Sequence, residues 1–140
     1  MSKILLDSSF IIALFRKNDP NHEIAKKNLE VLDNDCYITN SLLSEIITVI
    51  MMRTKDIELT KKIFQYIKDN FKVIIETSIP NYDDGVFSLF KKYNSSTYNA
   101  SYIDCSCILV YMNFNLDYVV SIDKFYEEFD EIQLLELKSD

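Results

Sequence analysis

In KILLDSSFIIALF, residues 3–15, an apolar run of strand length meets a second apolar run of helix length with only Asp7, Ser8 and Ser9 between them. A gap that short leaves no room for a loop. The chain leaves a buried strand and enters a helix at the acid itself, as in a βα unit. Working outward, the same pattern returns. CYIT (36–39) precedes the helix-length SLLSEIITVIMM (41–52), and KVIIET (72–77) precedes Pro80 and the helical DDGVFSLFKKY (83–93). DYVVS (117–121) precedes DKFYEEF (123–129), a turn of helix, and IQLLEL (132–137) reads as a fifth strand. HEIAKKNLEVL (22–32), IELTKKIFQYIKDN (57–70) and YIDCSCILVYMNF (102–114) are further helices. Strands alternating with helices require right-handed crossovers and a parallel sheet covered on both faces. The fold class expected is α/β, three layers around a mostly parallel sheet of about five strands.

Composition narrows the function. A chain of 140 residues with 48% hydrophobic and 26% charged residues matches one ordinary globular domain, expected to span residues 1–140. No stretch is long and apolar enough for a membrane span, and Asp7, Ser8, Ser9 and Arg16 interrupt what would otherwise resemble a signal peptide; a cytoplasmic protein is expected. A net charge of −7 argues against indiscriminate coating of nucleic acid. The single glycine, Gly85, excludes a P-loop or a dinucleotide fingerprint. The single histidine, His22, lies in polar KNDPNHEIAKK and reads as a solvated helix start, which disfavours Ser-His or Cys-His catalysis. Cys36, Cys105 and Cys107 fit no zinc spacing and read as buried reduced thiols.

Most of the 22 acidic residues sit in polar surroundings. Four do not: Asp7 ends KILL, Asp123 follows DYVVSI, Glu45 interrupts SLLSEIITVIMM, and Asp104 lies in YIDCSCILV. Asp7 and Asp123 could be helix N-caps, and Ser101-x-x-Asp104 matches a capping box. Glu45 lies beyond the first turn and has no capping role. In open parallel sheets ligands bind at the carboxyl ends of the strands, the edge to which all four acids belong. Carboxylates that converge must be protonated, paired with a base, or bound to a hard cation. With no lysine or arginine in these apolar segments, Mg²⁺ or Mn²⁺ is the expected partner, and Glu45 is expected to be held buried by metal and neighbouring acids. Such a site suits hydrolysis of a phosphodiester by water.

LLDSSFIIALF, NSLLSEIITVI, YIDCSCILVYM and VVSIDKFYEEF, in this order, resemble the PIN domain, most closely the small VapC-type toxin ribonucleases of VapBC toxin–antitoxin pairs. The resemblance implies a Rossmann-like sheet and a Mg²⁺- or Mn²⁺-dependent endoribonuclease whose metal-binding and catalytic acids are Asp7, Glu45, Asp104 and Asp123. Ser9 and Ser121 match small polar residues beside the first and last acid, where their hydroxyls would orient carboxylates or water. The helix after Asp104 departs from the family in carrying the large Tyr111 and in needing Asn115 as its left-handed cap.

Two other classes fit the same residues: a catalytically silent PIN-like binding or regulatory module, and a carboxylate-metal phosphohydrolase acting on a small molecule. RNA would meet Arg53, Lys55, Lys61, Lys62, Lys91 and Lys92, with Tyr93, Tyr98 and Tyr102 available for stacking, although solvation and core anchoring are the commoner uses of such residues. An antitoxin partner and a homodimer are expected, the second because FIIALF and IFQYI carry more apolar side chains than one helix face needs.

Overall fold

The computed structural model describes residues 1–139. The first strand, β1 (Lys3–Leu6), is followed by helix α1 (Ser8–Phe15), and Asp7 caps the helix. Next come α2 (His22–Lys27), a 3-10 turn at Leu29–Asp33, β2 (Asp35–Thr39), α3 (Asn40–Thr54), α4 (Ile57–Asn70) and β3 (Lys72–Ile74). A 3-10 turn at Glu76–Ser78, α5 (Tyr82–Tyr93), α6 (Tyr102–Asn113), β4 (Tyr118–Val120) and a 3-10 turn at Lys124–Glu128 complete the order. The sheet runs β3-β2-β1-β4 and every pairing is parallel.

This order positions the site. From β1 the chain moves outward through β2 to β3, then returns to place β4 on the other side of β1, in register Leu5 with Val119 and Leu6 with Val120. Right-handed crossovers in opposite directions put α1 to α4 on one face and α5 and α6 on the other. The crevice of such a sheet opens where the direction reverses, at the carboxyl ends of β1 and β4. Ile4, Leu5 and Leu6 are fully or almost fully buried, as a strand covered on both faces must be.

Helix α3 corrects the expectation for Glu45. Thr39 caps it by accepting from Leu42 N–H at 3.1 Å, and it buries Leu42, Leu43, Ile46 and Ile50. Ser44, Glu45, Thr48, Met51 and Met52 form its exposed side. An apolar composition concealed an amphipathic helix, because methionines stand on the wet face. Glu45 therefore faces open solvent in a cleft and is not held buried.

Other readings need correction. The fifth strand reduces to one bridge, Val119 with Leu134, framed by Val119 N–H to Gln133 O at 2.9 Å and Leu135 N–H to Val119 O at 3.0 Å. β4 is three residues long and turns into the site after Val120, which leaves IQLLEL no ladder to extend. The segment is instead pinned further on by buried Asn28, which accepts from Lys138 N–H at 2.7 Å and donates to Lys138 O at 3.0 Å. Asn28 also divides HEIAKKNLEVL into α2 and the 3-10 turn. His22 is half-buried, its Nδ1 2.8 Å from Ala13 O, so it ties α2 to α1 instead of lying in solvent. The apolar residues of FIIALF are absorbed within the chain, with Phe10, Ile11 and Ala13 buried and Phe15 edge-on to Tyr66 at 5.4 Å. Of IFQYI, Ile63 and Ile67 are buried and Phe64 stays exposed. Asn115 adopts φ 52°, the left-handed conformation that α6 needs at its end.

The two faces of α3 predict different costs. Ile46→Ala, at a fully buried position, should lower stability by roughly 2–5 kcal/mol, and Met52→Ala, at an exposed one, by less than about 0.5 kcal/mol. Urea denaturation midpoints of the two variants measure the difference.

Candidate functional site

Asp7, at the end of β1, is 8% exposed. Its backbone N–H donates to Val120 O at 2.9 Å, which continues the β1–β4 ladder one residue further and carries the carboxyl group into the switch point. Three segments supply donors. Ser9 Oγ donates to Asp7 Oδ2 at 2.8 Å and Ser121 Oγ at 3.1 Å, and Tyr126 Oη donates to Asp7 Oδ1 at 3.2 Å. The two serine oxygens lie 3.2 Å apart; Ser9 Oγ also accepts from Ile122 N–H at 3.2 Å and Ser121 Oγ from Asp123 N–H at 3.0 Å. Among the described residues, no lysine or arginine contacts this carboxylate. Burial pushes the Asp7 carboxyl above its ordinary value, against the lowering effect of Ser9, Ser121 and Tyr126.

Asp104 stands at the start of α6. Ser101 and Asp104 form a reciprocal capping box, with Asp104 N–H to Ser101 Oγ and Ser101 N–H to Asp104 Oδ2 both 3.0 Å. The other oxygen, Oδ1, accepts from Tyr126 Oη at 3.2 Å. One hydroxyl thus spans the carboxylates of Asp7 and Asp104. Tyr126 is 3% exposed and its ring is fixed edge-on to Phe125 and Phe129. Burial, then Cys107 and the two acids, drive its hydroxyl far above the ordinary tyrosine range, so it stays a donor.

Glu45 and Asp123 complete the set. A cleft of about 390 Å³ is lined by Asp7, Ser9, Glu45, Asp104, Asp123 and Tyr126, with Arg53 further along α3 from Glu45. The Glu45 carboxyl is raised first by desolvation in the cleft and then by Asp7, against a contact from Ser8, with Asp104 adding to the rise. Asp123 is exposed at the rim, where its Oδ1 accepts from Phe125 N–H at 3.0 Å and caps the last 3-10 turn. The structure therefore brings Asp7 and Asp104 onto a common hydroxyl, sets Glu45 within electrostatic reach of both, and leaves Asp123 at the edge. Among the described residues, no three acidic, histidine or cysteine side chains close into a preformed cage.

Two residues were missed in the sequence. Tyr126 gave no signal, because an aromatic in FYEEF reads as core. Glu76 did: it ends KVIIE as Asp7 ends KILLD, and it is 3% exposed. It accepts from Ser41 Oγ at 3.0 Å and Ser41 N–H at 3.4 Å, holding the start of the helix that carries Glu45. The three cysteines are buried and none lines the cleft. Burial raises Cys105 to about 11 and Cys36 to about 12, and Cys107 well above its ordinary value.

The donors facing the cleft are carboxylate and hydroxyl oxygens, with surplus negative charge and a buried carboxylate lacking a cationic partner. That set fits a hard divalent cation such as Mg²⁺ or Mn²⁺.

An α/β sheet of this order, with acids at its switch point, defines a class of proteins that act at strand ends, and the family comparison specifies it. Residues 4–132 match the PIN domain model, and the chain belongs to that family. No curated protein matches the chain. Among solved structures it is similar to VapC20 of Mycobacterium tuberculosis, a sarcin-ricin loop cleaving toxin, at 17% identity and a TM-score of 0.74, over 92% of this chain and 98% of that one. It is also similar to VapBC2 of Rickettsia felis bound to a DNA fragment from its promoter, at 13% identity and a TM-score of 0.75, over 97% and 99% of the two chains. At such identities the likeness shows the fold.

A carboxyl whose folded pKa is raised stabilises the fold in its protonated form. For Asp7 that contribution is complete below the ordinary value of 3.8 and is lost as pH rises through the raised folded value; Glu45 behaves alike from 4.5. In EDTA, Asp7→Asn should therefore melt higher than wild type at pH 7, with the gap closing toward pH 4. Thermal melts across that range measure it.

Proposed function

We propose that this chain is a divalent-metal-dependent endoribonuclease and the toxin of a toxin–antitoxin pair, acting as one domain in the cytoplasm. The observation that carries the reading is the pairing of Asp7 and Asp104 on one hydroxyl, at the switch point of a PIN sheet, in a cleft also lined by Glu45 and Asp123. These four acids are the residues assigned to hold Mg²⁺ or Mn²⁺. The bound cation would polarise a phosphoryl oxygen and make water a better nucleophile.

The chain's own groups supply the rest. Ser9 and Ser121 fix Asp7 Oδ2 and leave its Oδ1 edge toward Asp104. Arg53, a cation lining the acidic cleft, makes no ion pair among the described residues and is assigned to an RNA phosphate. Ile12, Val49 and Ile103 give the cleft apolar walls against which a base or ribose packs. Exposed Tyr98 is free for stacking, whereas Tyr102 donates to Asp83 at 2.8 Å and Tyr93 is tied to Glu131. Lys92 pairs with Glu131 at 2.8 Å and is removed from the candidate RNA surface. An antitoxin that presents a basic side chain to the cleft would neutralise the acids. A second copy of the chain would cover the exposed apolar side of α5 and α6, at Phe87 and Tyr102.

Asp7→Asn and Asp104→Asn should each keep the circular dichroism of wild type and abolish Mg²⁺-dependent cleavage of single-stranded RNA; cleavage by both variants at the wild-type rate would sink the assignment. Arg53→Ala should weaken RNA binding and reduce its log–log salt slope by about 0.7, the loss of one single-strand phosphate contact. An unchanged slope would remove Arg53 from the binding path.

A further inference from the structure

We propose that Tyr126 is a positioning residue that sets the spacing of Asp7 and Asp104 and, through it, the affinity of the cleft for a divalent cation. The proposal rests on the metal-site reading above and goes beyond it, because Tyr126 is not one of the acids. Its hydroxyl lies 3.2 Å from Asp7 Oδ1 and 3.2 Å from Asp104 Oδ1, and each carboxylate is held at its other oxygen by different groups, Ser9 and Ser121 for Asp7 and Ser101 N–H for Asp104. The two Oδ1 atoms are thus kept within two hydrogen-bond lengths of each other. Without the hydroxyl, no other hydrogen bond among the described residues would join them, and like charges would drive them apart.

The side chain is built to be rigid. The Tyr126 ring is buried, with Phe125 at 5.8 Å and Phe129 at 5.6 Å, both edge-on. Its hydroxyl proton is shared by two acceptors, so each Oδ1 retains a lone pair for a cation. A carboxylate oxygen with one fixed donor and one open lone pair is the arrangement that outer groups impose on metal ligands, and loss of such a group weakens metal binding by about 10–100-fold.

Tyr126→Phe removes the hydroxyl and keeps the ring. Mn²⁺ binding to the purified, RNA-free protein, followed by electron paramagnetic resonance of the free ion, should show a dissociation constant at least about tenfold higher than wild type. RNA cleavage at limiting Mn²⁺ should fall in kcat with little change in KM, and should recover at saturating Mn²⁺. Ile67→Val is the control: it loosens core packing on α4, away from the cleft, and should lower the melting temperature while leaving the Mn²⁺ constant unchanged. Equal Mn²⁺ constants in wild type and Tyr126→Phe, or tighter binding in the variant, would overturn the proposal, as would equal weakening by Ile67→Val. Wild type that binds no Mn²⁺ at all would overturn the metal-site reading itself. If Tyr126→Phe does not fold, the wild type still decides. The chain has no tryptophan, and of its nine tyrosines Tyr126 is the one lining the cleft among the described residues, so a tyrosine difference spectrum that follows Mn²⁺ binding reports its hydroxyl. A change saturating with the binding constant is the expected result, and a flat spectrum overturns the proposal.

Discussion

A negative charge buried at the end of the central strand organises this molecule. Asp7 is carried into the interior by the β1–β4 ladder, and an uncompensated carboxylate there costs several kcal/mol. The fold answers with hydroxyls from α1, from the loop after β4 and from the last 3-10 turn, and with no lysine or arginine among the described residues. That compensation is partial, since burial still holds the carboxyl above its ordinary value. What remains is incompletely compensated negative charge where the sheet opens. Packing of the three segments and function of the cleft are two aspects of one electrostatic demand.

The capping and functional readings of the acids turn out to describe the same geometry. Asp7, Asp104 and Asp123 each accept a backbone N–H at the start of a helical segment. A helix start offers free N–H groups and a partial positive charge, so it favours a carboxylate placed close to others. One oxygen serves the backbone while the other faces the cleft, as Asp104 shows with Oδ2 on Ser101 and Oδ1 on Tyr126.

Much of this was legible in the sequence, because apolar runs ending in an acid mark both strand ends and site. The acids of KILLD and VVSID could be placed on one sheet edge without coordinates. Glu76 carries the same mark at the end of KVIIE. Tyr126 could not be found this way. In the 3-10 turn at Lys124–Glu128 the repeat is three residues, which turns Tyr126 and Phe129 inward together, whereas helical spacing gives no direction to the hydroxyl. The outward face of Glu45 was hidden for a different reason: Met51 and Met52 make the wet side of α3 look like core. The fifth strand failed on register, since a pattern of apolar residues says nothing about whether a neighbouring strand is long enough to pair.

The parallel pairing of β1 with β4 also determines when the cleft can exist. Ser121 and Asp7, joined by a hydrogen bond, are 114 positions apart, and Tyr126 lies later still. While the chain grows on the ribosome, β1 can pair with β2 and the helices from α1 to α4 can settle, but the switch point has only one wall. The carboxylate of Asp7 waits, partly solvated, for the strand that buries it. The cleft closes only when this long-range pairing forms, after the local contacts of β1, β2 and α1 to α4, so the activity proposed above would be gained late in folding.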